Sequence, residues 1–120
     1  MGIVAIRGAI TVENNTVSEI SAATVELYKE IIARNQINSD AIINIIFSIT
    51  KDLNAIYPAK ALRDNLNLVD IPFMCVQEAD VFGSLNKCIR ILVQVEADLN
   101  KSDVKHVYLK GAATLRPDLK

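Results

Sequence analysis

Hydrophobic and polar residues alternate along two segments of the chain in the way expected of half-buried β-strands. Residues 2–12 are rich in β-branched side chains, and the alternation places Arg7 and Thr11 on one face. Residues 86–96 show the clearest pattern, with isoleucine or valine at every second position and Arg90 among the residues between them. Each segment therefore predicts a strand with one apolar face and one mixed face.

Two other segments have helical spacing. Thr16 followed three residues later by Glu19 is a capping-box signature, and apolar residues then recur at the spacing of one helix face. This pattern predicts a helix that begins at Thr16 and ends near residue 35. Pro58 suits the first turn of a second helix, over residues 58–66.

Three apolar segments complete the predicted elements. Residues 42–49 are so strongly apolar that we expect a strand buried on both faces, and residues 73–76 and 107–109 form short strands. The order β-α-β-α-β-β-β favours an α+β fold, a mixed sheet with both helices on one face. No linker, repeat or low-complexity tract interrupts the sequence, so we expect a single domain over residues 1–120.

Composition adds an expectation about assembly and excludes two kinds of partner. Hydrophobic residues make up 51% of the chain, which suggests that another subunit covers some apolar surface. The 13 basic and 14 acidic residues give no cationic field that would attract nucleic acid or a membrane surface. The longest apolar stretch, residues 41–49, is interrupted by Asn44 and Ser48 and is far shorter than the ~20 residues of a membrane span.

Several common catalytic and cofactor sites lack their residues in this sequence. His106 is the only histidine, so a zinc site or a Ser-His-Asp triad would have no further imidazole. The four glycines form neither GxGxxG nor a Walker loop. Cys75 and Cys88 fit neither a disulfide framework nor a zinc site, which favours reduced thiols and a cytoplasmic location. We therefore expect neither a metal nor a cofactor.

Cations inside apolar strands are the first candidates for chemistry. Arg7 and Arg90 each lie in the middle of such a strand. Either side chain can simply face solvent, but an inward guanidinium needs an anionic partner. The further cations considered for the same pocket are Lys60, Arg63 and Arg116, and the candidate acids are Glu78 and Asp80. Such a pocket has surplus positive charge, and a dicarboxylate ligand would balance it because arginine binds carboxylates bidentately.

Six short stretches carry more specific information than the cations alone. They are Arg7-Gly8-Ala9 through Thr11-Val12-Glu13, Tyr57-Pro58-Ala59-Lys60-Ala61-Leu62-Arg63, Cys75-Val76-Gln77-Glu78, Lys87-Cys88-Ile89-Arg90, His106-Val107-Tyr108-Leu109 and Leu115-Arg116-Pro117-Asp118. Together and in this order they resemble the AroH class of monofunctional chorismate mutases. The resemblance extends from about residue 2 to the end of the sequence without a large insertion.

This resemblance implies an enzyme that converts chorismate to prephenate in phenylalanine and tyrosine biosynthesis. The reaction is a Claisen rearrangement, in which a C–O bond breaks while a C–C bond forms, and it needs no nucleophile, metal or obligatory proton transfer. Catalysis would come from holding the chorismate dianion in a reactive diaxial shape and stabilising charge on the ether oxygen. The family fold implies a homotrimer with a pseudo-α/β-barrel core and active sites between neighbouring subunits.

The resemblance also implies roles for individual residues. Arg90 corresponds to the group that stabilises the ether oxygen and contacts a carboxylate. Arg7 and Tyr108 resemble clamps for the side-chain carboxylate, and Glu78 with Cys75 resemble the partners of the ring hydroxyl. The catalytic residues implied are thus Arg90, Glu78 and Arg7. Tyr57, Ala59 and Leu115 resemble an apolar wall of the substrate site, and Met74 is the implied substrate-binding residue beside Cys75. Lys60, Arg63 and Arg116 resemble the outer cations.

The sequence departs from the family pattern at a few positions. Met74 stands where a small polar residue such as threonine is expected, so it narrows the pocket or removes a hydrogen bond. Tyr57 stands where an aromatic residue without a hydroxyl is also usual. The sequence ends at Lys120 and nearly lacks the tail that helps to cover the site in some relatives, which bears on binding strength. Cys88 is expected in the core, and His106 is expected to be structural.

Other functions stay open at this point. The same trimer and cationic cleft would suit a sensor of anionic metabolites, or an imine hydrolase like the structurally similar YjgF-type trimers. Arg90 with Glu78 discriminates between these, because a sensor needs cations but no hydroxyl acceptor paired with a cation at an ether oxygen. A structural or nucleic-acid-binding role is less favoured, since three Phe, three Tyr and no Trp offer few rings for stacking on bases.

Overall fold

The computed structural model describes residues 2–117, which form five strands and two α-helices in the predicted order. Their bounds are β1 (Gly2–Thr11), α1 (Val17–Asn35), β2 (Ile42–Ile49), α2 (Pro58–Leu66), β3 (Phe73–Gln77), β4 (Cys88–Ala97) and β5 (Val107–Leu109). Three short 3₁₀-helices, which the sequence pattern did not predict, lie at Ser39–Ala41, Lys101–Asp103 and Lys110–Leu115. Neither α1 nor α2 is long and apolar enough to span a bilayer.

The strands form one mixed sheet in the order β3-β2-β4-β1-β5. The central strand β4 pairs antiparallel with β1 and β2, whereas β3 and β5 pair parallel with β2 and β1 at the two edges. The prediction of a mixed α+β sheet is therefore confirmed. This register places Arg90 of β4 between Ala9 of β1 and Ser48 of β2.

The two faces of the sheet have different surroundings. On one face, residues such as Ile6, Phe47 and Val93 are fully buried in a core that α1 and α2 cover. The opposite side is called the open face here, because among residues 2–117 only the 3₁₀-helix Lys110–Leu115 packs on part of it, over Ala9 and Cys88. The prediction that both helices pack on one face is confirmed. The prediction that residues 42–49 are buried on both faces was wrong for this chain by itself, since Ile46 on the open face is only half-buried.

The first helix begins as predicted, but its capping differs in one detail. The Thr16 hydroxyl accepts a hydrogen bond from the Glu19 backbone N–H at 3.1 Å. The Glu19 carboxylate reaches past Thr16 instead of returning to it, and it accepts from the backbone N–H and the side-chain amide of Asn14 at 3.0 and 2.9 Å. These bonds lower the pKa of Glu19. The acidic residue therefore stabilises the loop before the helix.

Gly8 is required because three elements approach one another at this position of β1. A Cβ atom on Gly8 would lie 2.9 Å from the Val107 carbonyl oxygen and 3.0 Å from Cδ1 of Ile31. It would also lie 3.1 Å from Cγ2 of Ile91. The close contact with a backbone oxygen of β5 cannot be relieved by rotating a side chain, so a larger residue must displace a strand.

We expect Gly8→Ala to lower the free energy of unfolding by about 1–3 kcal/mol, the usual cost of overpacking a core. Gly2→Ala is the matched control, because a Cβ there meets nothing within 4 Å, and it should change stability by less than about 0.5 kcal/mol. Urea unfolding of both variants at one protein concentration measures the difference. Equal stabilities would show that β5 is not held tightly against Gly8.

Candidate active site

Arg90 and Glu78 form an ion pair on the open face. Nε of Arg90 lies 3.4 Å from Oε1 of Glu78, and the two side chains are 28% and 26% exposed. Glu78 directly follows β3, and its backbone N–H continues the pairing with β2 by donating to the Ile49 carbonyl at 2.8 Å. The Ser48 hydroxyl donates to the same carboxylate oxygen, Oε1. The Glu78 carboxylate is thus held by β2 and faces the guanidinium on β4.

The Nε–H donor of Arg90 is not satisfied by this ion pair. Nε is a buried atom that makes no hydrogen bond within the described chain, although Glu78 is nearby. A buried donor without a partner is rare in proteins and often marks a functional position. Because Nε itself is buried, a ligand on the open face would meet the exposed part of the Arg90 side chain, which is 28% exposed as a whole.

The loop after β2 fixes the beginning of the strand that carries Arg90. Both carboxylate oxygens of Asp52 accept from the Lys87 backbone N–H, at 3.1 and 3.0 Å. The Thr50 hydroxyl accepts from the Cys88 backbone N–H at 3.0 Å and itself donates to Asp52. These bonds end two residues before Arg90, so they set the register of its strand relative to β2.

Arg7 lies on the same face as Arg90, one strand away. Its backbone N–H donates to Nδ1 of His106 at 3.0 Å, which fixes the residues before β5 against β1. The pKa of His106 is lowered mainly by burial and further by the positive charges of Arg116 and Arg7. His106 is therefore a neutral structural acceptor, as expected, and Arg116 lies close enough to contribute to the field around it.

Tyr108 borders the same region from the edge strand β5. Tyr108 pairs with Ala9 of β1 and packs with Cys88 and Ala112 in a small apolar cluster. Leu115 packs against this cluster. Cys88 is 1% exposed, which confirms its expected place in the core. Burial raises the pKa of the Cys88 thiol, while the charge of Arg90 opposes that rise.

A second group of the predicted site residues lies at α2 and β3. Cys75 packs toward the helical side of the sheet, where burial raises its pKa and a backbone hydrogen bond from Ala59 and the charge of Arg63 act in the opposite direction. Lys60 pairs with Asp64 at 2.8 Å across one turn of α2, and both side chains are about half exposed. Tyr57, which precedes the helix, is 68% exposed.

An open hollow of about 550 Å³ adjoins the second group. Tyr57 and Lys60 line it, and most of its other lining residues are apolar, among them Val17, Leu53 and Ile56. Met74 of β3 is 60% exposed and alternates with Cys75, so it belongs to the open face. The second group therefore offers apolar walls and cations but no carboxylate equivalent to Glu78.

The structure thus divides the predicted site residues between two places. Arg7, Glu78, Arg90 and Tyr108 lie together on the open face, whereas Lys60, Arg63 and Cys75 lie at α2 and on the helical side of β3. The five cations expected in one pocket do not meet within one chain. Glu78 and Cys75, predicted to share one ligand group, face different sides of the sheet.

Sequence reasoning missed one residue of the open-face group, Ser48. The signal was present, because Asn44 and Ser48 are the polar residues that interrupt an isoleucine-rich strand. Their spacing of four places both on one face of a strand. The contact with Glu78 was not predictable, since it depends on the register in which β3 pairs with β2.

Comparisons with known proteins agree with this fold. The sequence matches the family model described as chorismate mutase type I over residues 3–119. The chorismate mutase AroH of Bacillus subtilis is 42% identical over 114 residues, which cover 95% of this chain and 90% of the relative. AroH of Thermus thermophilus is 41% identical over 115 residues, covering 95% and 93%. A solved chorismate mutase from Clostridium thermocellum superposes with a TM-score of 0.90 at 50% identity, covering 92% of this chain and 98% of that one.

Fold and relatives together define the class first: the chain is an enzyme, and it is an isomerase. More narrowly, it belongs to the chorismate mutase type I family. The resemblance carried by the six sequence stretches is thereby confirmed.

The lowered pKa of His106 predicts a stability that decreases in acid. An unfolded imidazole takes up a proton near pH ~6.5, whereas Nδ1 in the folded chain must stay free to accept the Arg7 N–H. The contribution of His106 to stability is therefore complete above about pH 6.5 and is lost as the pH falls through its lower folded value. His106→Asn keeps an acceptor but cannot titrate, so it should lose less stability than the original chain in acid. Urea unfolding between about pH 7 and 5 tests this, and equal pH slopes would contradict it.

Proposed function

We propose that the chain catalyses the rearrangement of chorismate to prephenate, with Arg90 as the main stabiliser of the transition state. The observation that carries the proposal is the Arg90 guanidinium, which is held beside Glu78 on the open face and whose buried Nε–H has no hydrogen-bond partner among residues 2–117. A donor fixed in this way needs no reorganisation when negative charge develops on the ether oxygen, so it stabilises the transition state more than the ground state. Family membership supports the same reaction and a place in aromatic amino-acid biosynthesis.

Each neighbouring side chain supplies a contact that fits the chorismate dianion. Arg7 and Tyr108 bind the side-chain carboxylate, and the carboxylate of Glu78 accepts the hydrogen bond of the ring hydroxyl. Electrons move within the substrate as the C–O bond breaks and the C–C bond forms, so no proton passes to Glu78. The enzyme acts by selecting the diaxial conformer and by placing positive charge at the ether oxygen.

The second group of residues completes the pocket from a neighbouring subunit. The sheet itself separates the two groups, because Arg7 and Arg90 lie on the open face whereas α2 and the Cys75 side chain lie on the helical side. One substrate of ordinary size cannot contact both groups of a single chain. In the proposed trimer, the open face of one subunit meets the α2–β3 edge of the next. The residues supplied by that edge are Tyr57, Ala59, Lys60, Arg63, Met74 and Cys75.

Exposed apolar side chains support such an assembly. On the face that carries Arg90, Ile3 of β1 is 65% exposed, and Met74 and Val76 of β3 are 60% and 44% exposed. A monomer would leave this surface in water, and burying it provides a driving force for association. The assembly also explains why Arg90 and Arg7 are not enclosed by their own chain.

Two parts of the pocket depend on the end of the sequence. Leu115 and Arg116 lie near Tyr108 and His106 and would cover the carboxylate end of the substrate. Asp118, the last residue of the sixth stretch, lies outside the described residues. The cytoplasmic location and the action of residues 1–120 as one catalytic domain stay predictions.

The purified protein should convert chorismate to prephenate without any added cofactor or metal, followed by the loss of chorismate absorbance and chemical identification of prephenate. Arg90→Gln should lower kcat by at least ~10²–10³, as is typical for the loss of one oxyanion-type donor. Arg34→Gln is the matched control, because Arg34 pairs with Glu30 on α1, away from the site, and it should retain full turnover.

Two results would contradict this proposal. Near-normal kcat for Arg90→Gln would exclude the electrostatic mechanism. If a preparation with the expected trimer mass converts no chorismate, an anion sensor or an imine hydrolase becomes the better hypothesis, and binding of other dicarboxylates is then measured.

A composite pocket predicts that two defective variants can complement each other. Arg90→Gln alters only the open-face group, and Lys60→Ala/Arg63→Ala alters only the α2 group. After subunits of the two variants are mixed by unfolding and refolding together, about one quarter of the sites should combine two intact groups in a cyclic trimer. Activity should rise toward that fraction of the original. No gain in activity, despite verified subunit exchange, would show that each site belongs to one chain.

A further inference from the structure

Ser48 contacts the proposed catalytic pair but has no assigned role in the reaction. Its hydroxyl donates to Oε1 of Glu78, the same oxygen that lies 3.4 Å from Nε of Arg90. We propose that Ser48 is a positioning residue, which holds the Glu78 carboxylate so that Arg90 remains available to the substrate. This inference rests on the proposed function.

The geometry of the ion pair is the first argument. A carboxylate and a guanidinium that are free to pair form hydrogen bonds of about 2.7–2.9 Å, whereas Arg90 and Glu78 stay 3.4 Å apart and Nε makes no hydrogen bond. Both side chains are only about one quarter exposed, so solvent screening does not account for the separation. The competing donor on Oε1 is the Ser48 hydroxyl.

The placement of Ser48 in the sheet is the second argument. Ser48 faces Arg90 directly in the pairing of β2 with β4. The next residue, Ile49, accepts the backbone N–H of Glu78 at 2.8 Å. Adjacent residues of β2 thus hold Glu78 by its backbone and by its side chain. These two hydrogen bonds hold the Glu78 carboxylate beside β2 and limit its movement toward β4.

As a consequence, the two carboxylate oxygens of Glu78 have different partners. Ser48 and Arg90 face Oε1, so the other oxygen is left to accept the ring hydroxyl of the substrate. The guanidinium of Arg90 is left to donate to the ether oxygen. Without Ser48, the carboxylate would swing toward Arg90 and form a full ion pair, which would occupy the donor that the transition state requires.

The test uses the complete protein and three substitutions at Ser48. Ser48→Ala should lower kcat about tenfold, the effect of one hydrogen bond to a charged group, with a smaller change in KM. Ser48→Thr keeps the hydroxyl on a residue suited to a strand, and it should restore most of kcat. Ser48→Cys is nearly the same size but a weaker donor, so it should lie between these two. It supplies the comparison if the alanine variant folds poorly.

A double-mutant comparison separates positioning from a structural role. In a Glu78→Ala background there is no carboxylate to hold, so adding Ser48→Ala should change kcat by less than about twofold. The inference is overturned if Ser48→Ala alone leaves kcat unchanged, or if it causes the same tenfold loss in the Glu78→Ala background. If the original chain converts no chorismate, the proposed function itself is wrong. If the original chain is active and the Ser48→Ala variant is unaffected, only the role of Ser48 is wrong.

Discussion

The two-residue period of β4 is the constraint on which the site depends. Ile89 and Ile91 are buried in the main core, so Arg90 between them must face the opposite side of the sheet. A slip of one residue would exchange these faces and place a guanidinium in an apolar core, at a large desolvation cost. Asp52 and Thr50 oppose such a slip, because they bind the backbone of Lys87 and Cys88 at the beginning of the strand. Core packing and site geometry are therefore fixed by the same register.

The charge balance of the open face explains the kind of ligand that it suits. Arg7, Arg90 and Arg116 contribute three positive charges near Tyr108 and His106, and Glu78 contributes one negative charge. A dianion reduces this imbalance, whereas a neutral ligand leaves it. Covering the face with another subunit would exclude water and strengthen each of these interactions, because the effective dielectric constant falls.

Local patterns in the sequence predicted the elements well, since each depends on residues close in the chain. The alternation around Arg90 and the helical spacing after Thr16 are examples, and both agree with the structure. The order of strands in the sheet is not a local property. It is this order, with the position of α2 behind β3, that separates Arg63 and Cys75 from Arg7.

The contact between Ser48 and Glu78 was beyond prediction for a related reason. The residues are 30 positions apart, and their meeting depends on the register in which β3 pairs with β2. The reciprocal half of the expected capping box was not predicted correctly either, although the Thr16 cap itself is present. The alternative partner of Glu19 was Asn14, which the spacing rule does not consider. Hydrophobic periodicity specifies which face a residue takes, whereas strand register and loop conformation decide which polar groups meet there.

Separating the cations onto two faces also has an energetic consequence for the proposed assembly. Within one chain, Lys60 and Arg63 are kept away from Arg7 and Arg90, so a single subunit avoids most of their mutual repulsion. In the proposed trimer, association would bring the two groups to one cleft, and their repulsion would then oppose assembly unless an anion lay between them. A bound dianion would change this net repulsion into a net attraction, since it attracts both groups of cations at once. In the proposed assembly, substrate binding and subunit association are therefore expected to reinforce each other through the Coulomb attraction between the dianion and both groups of cations.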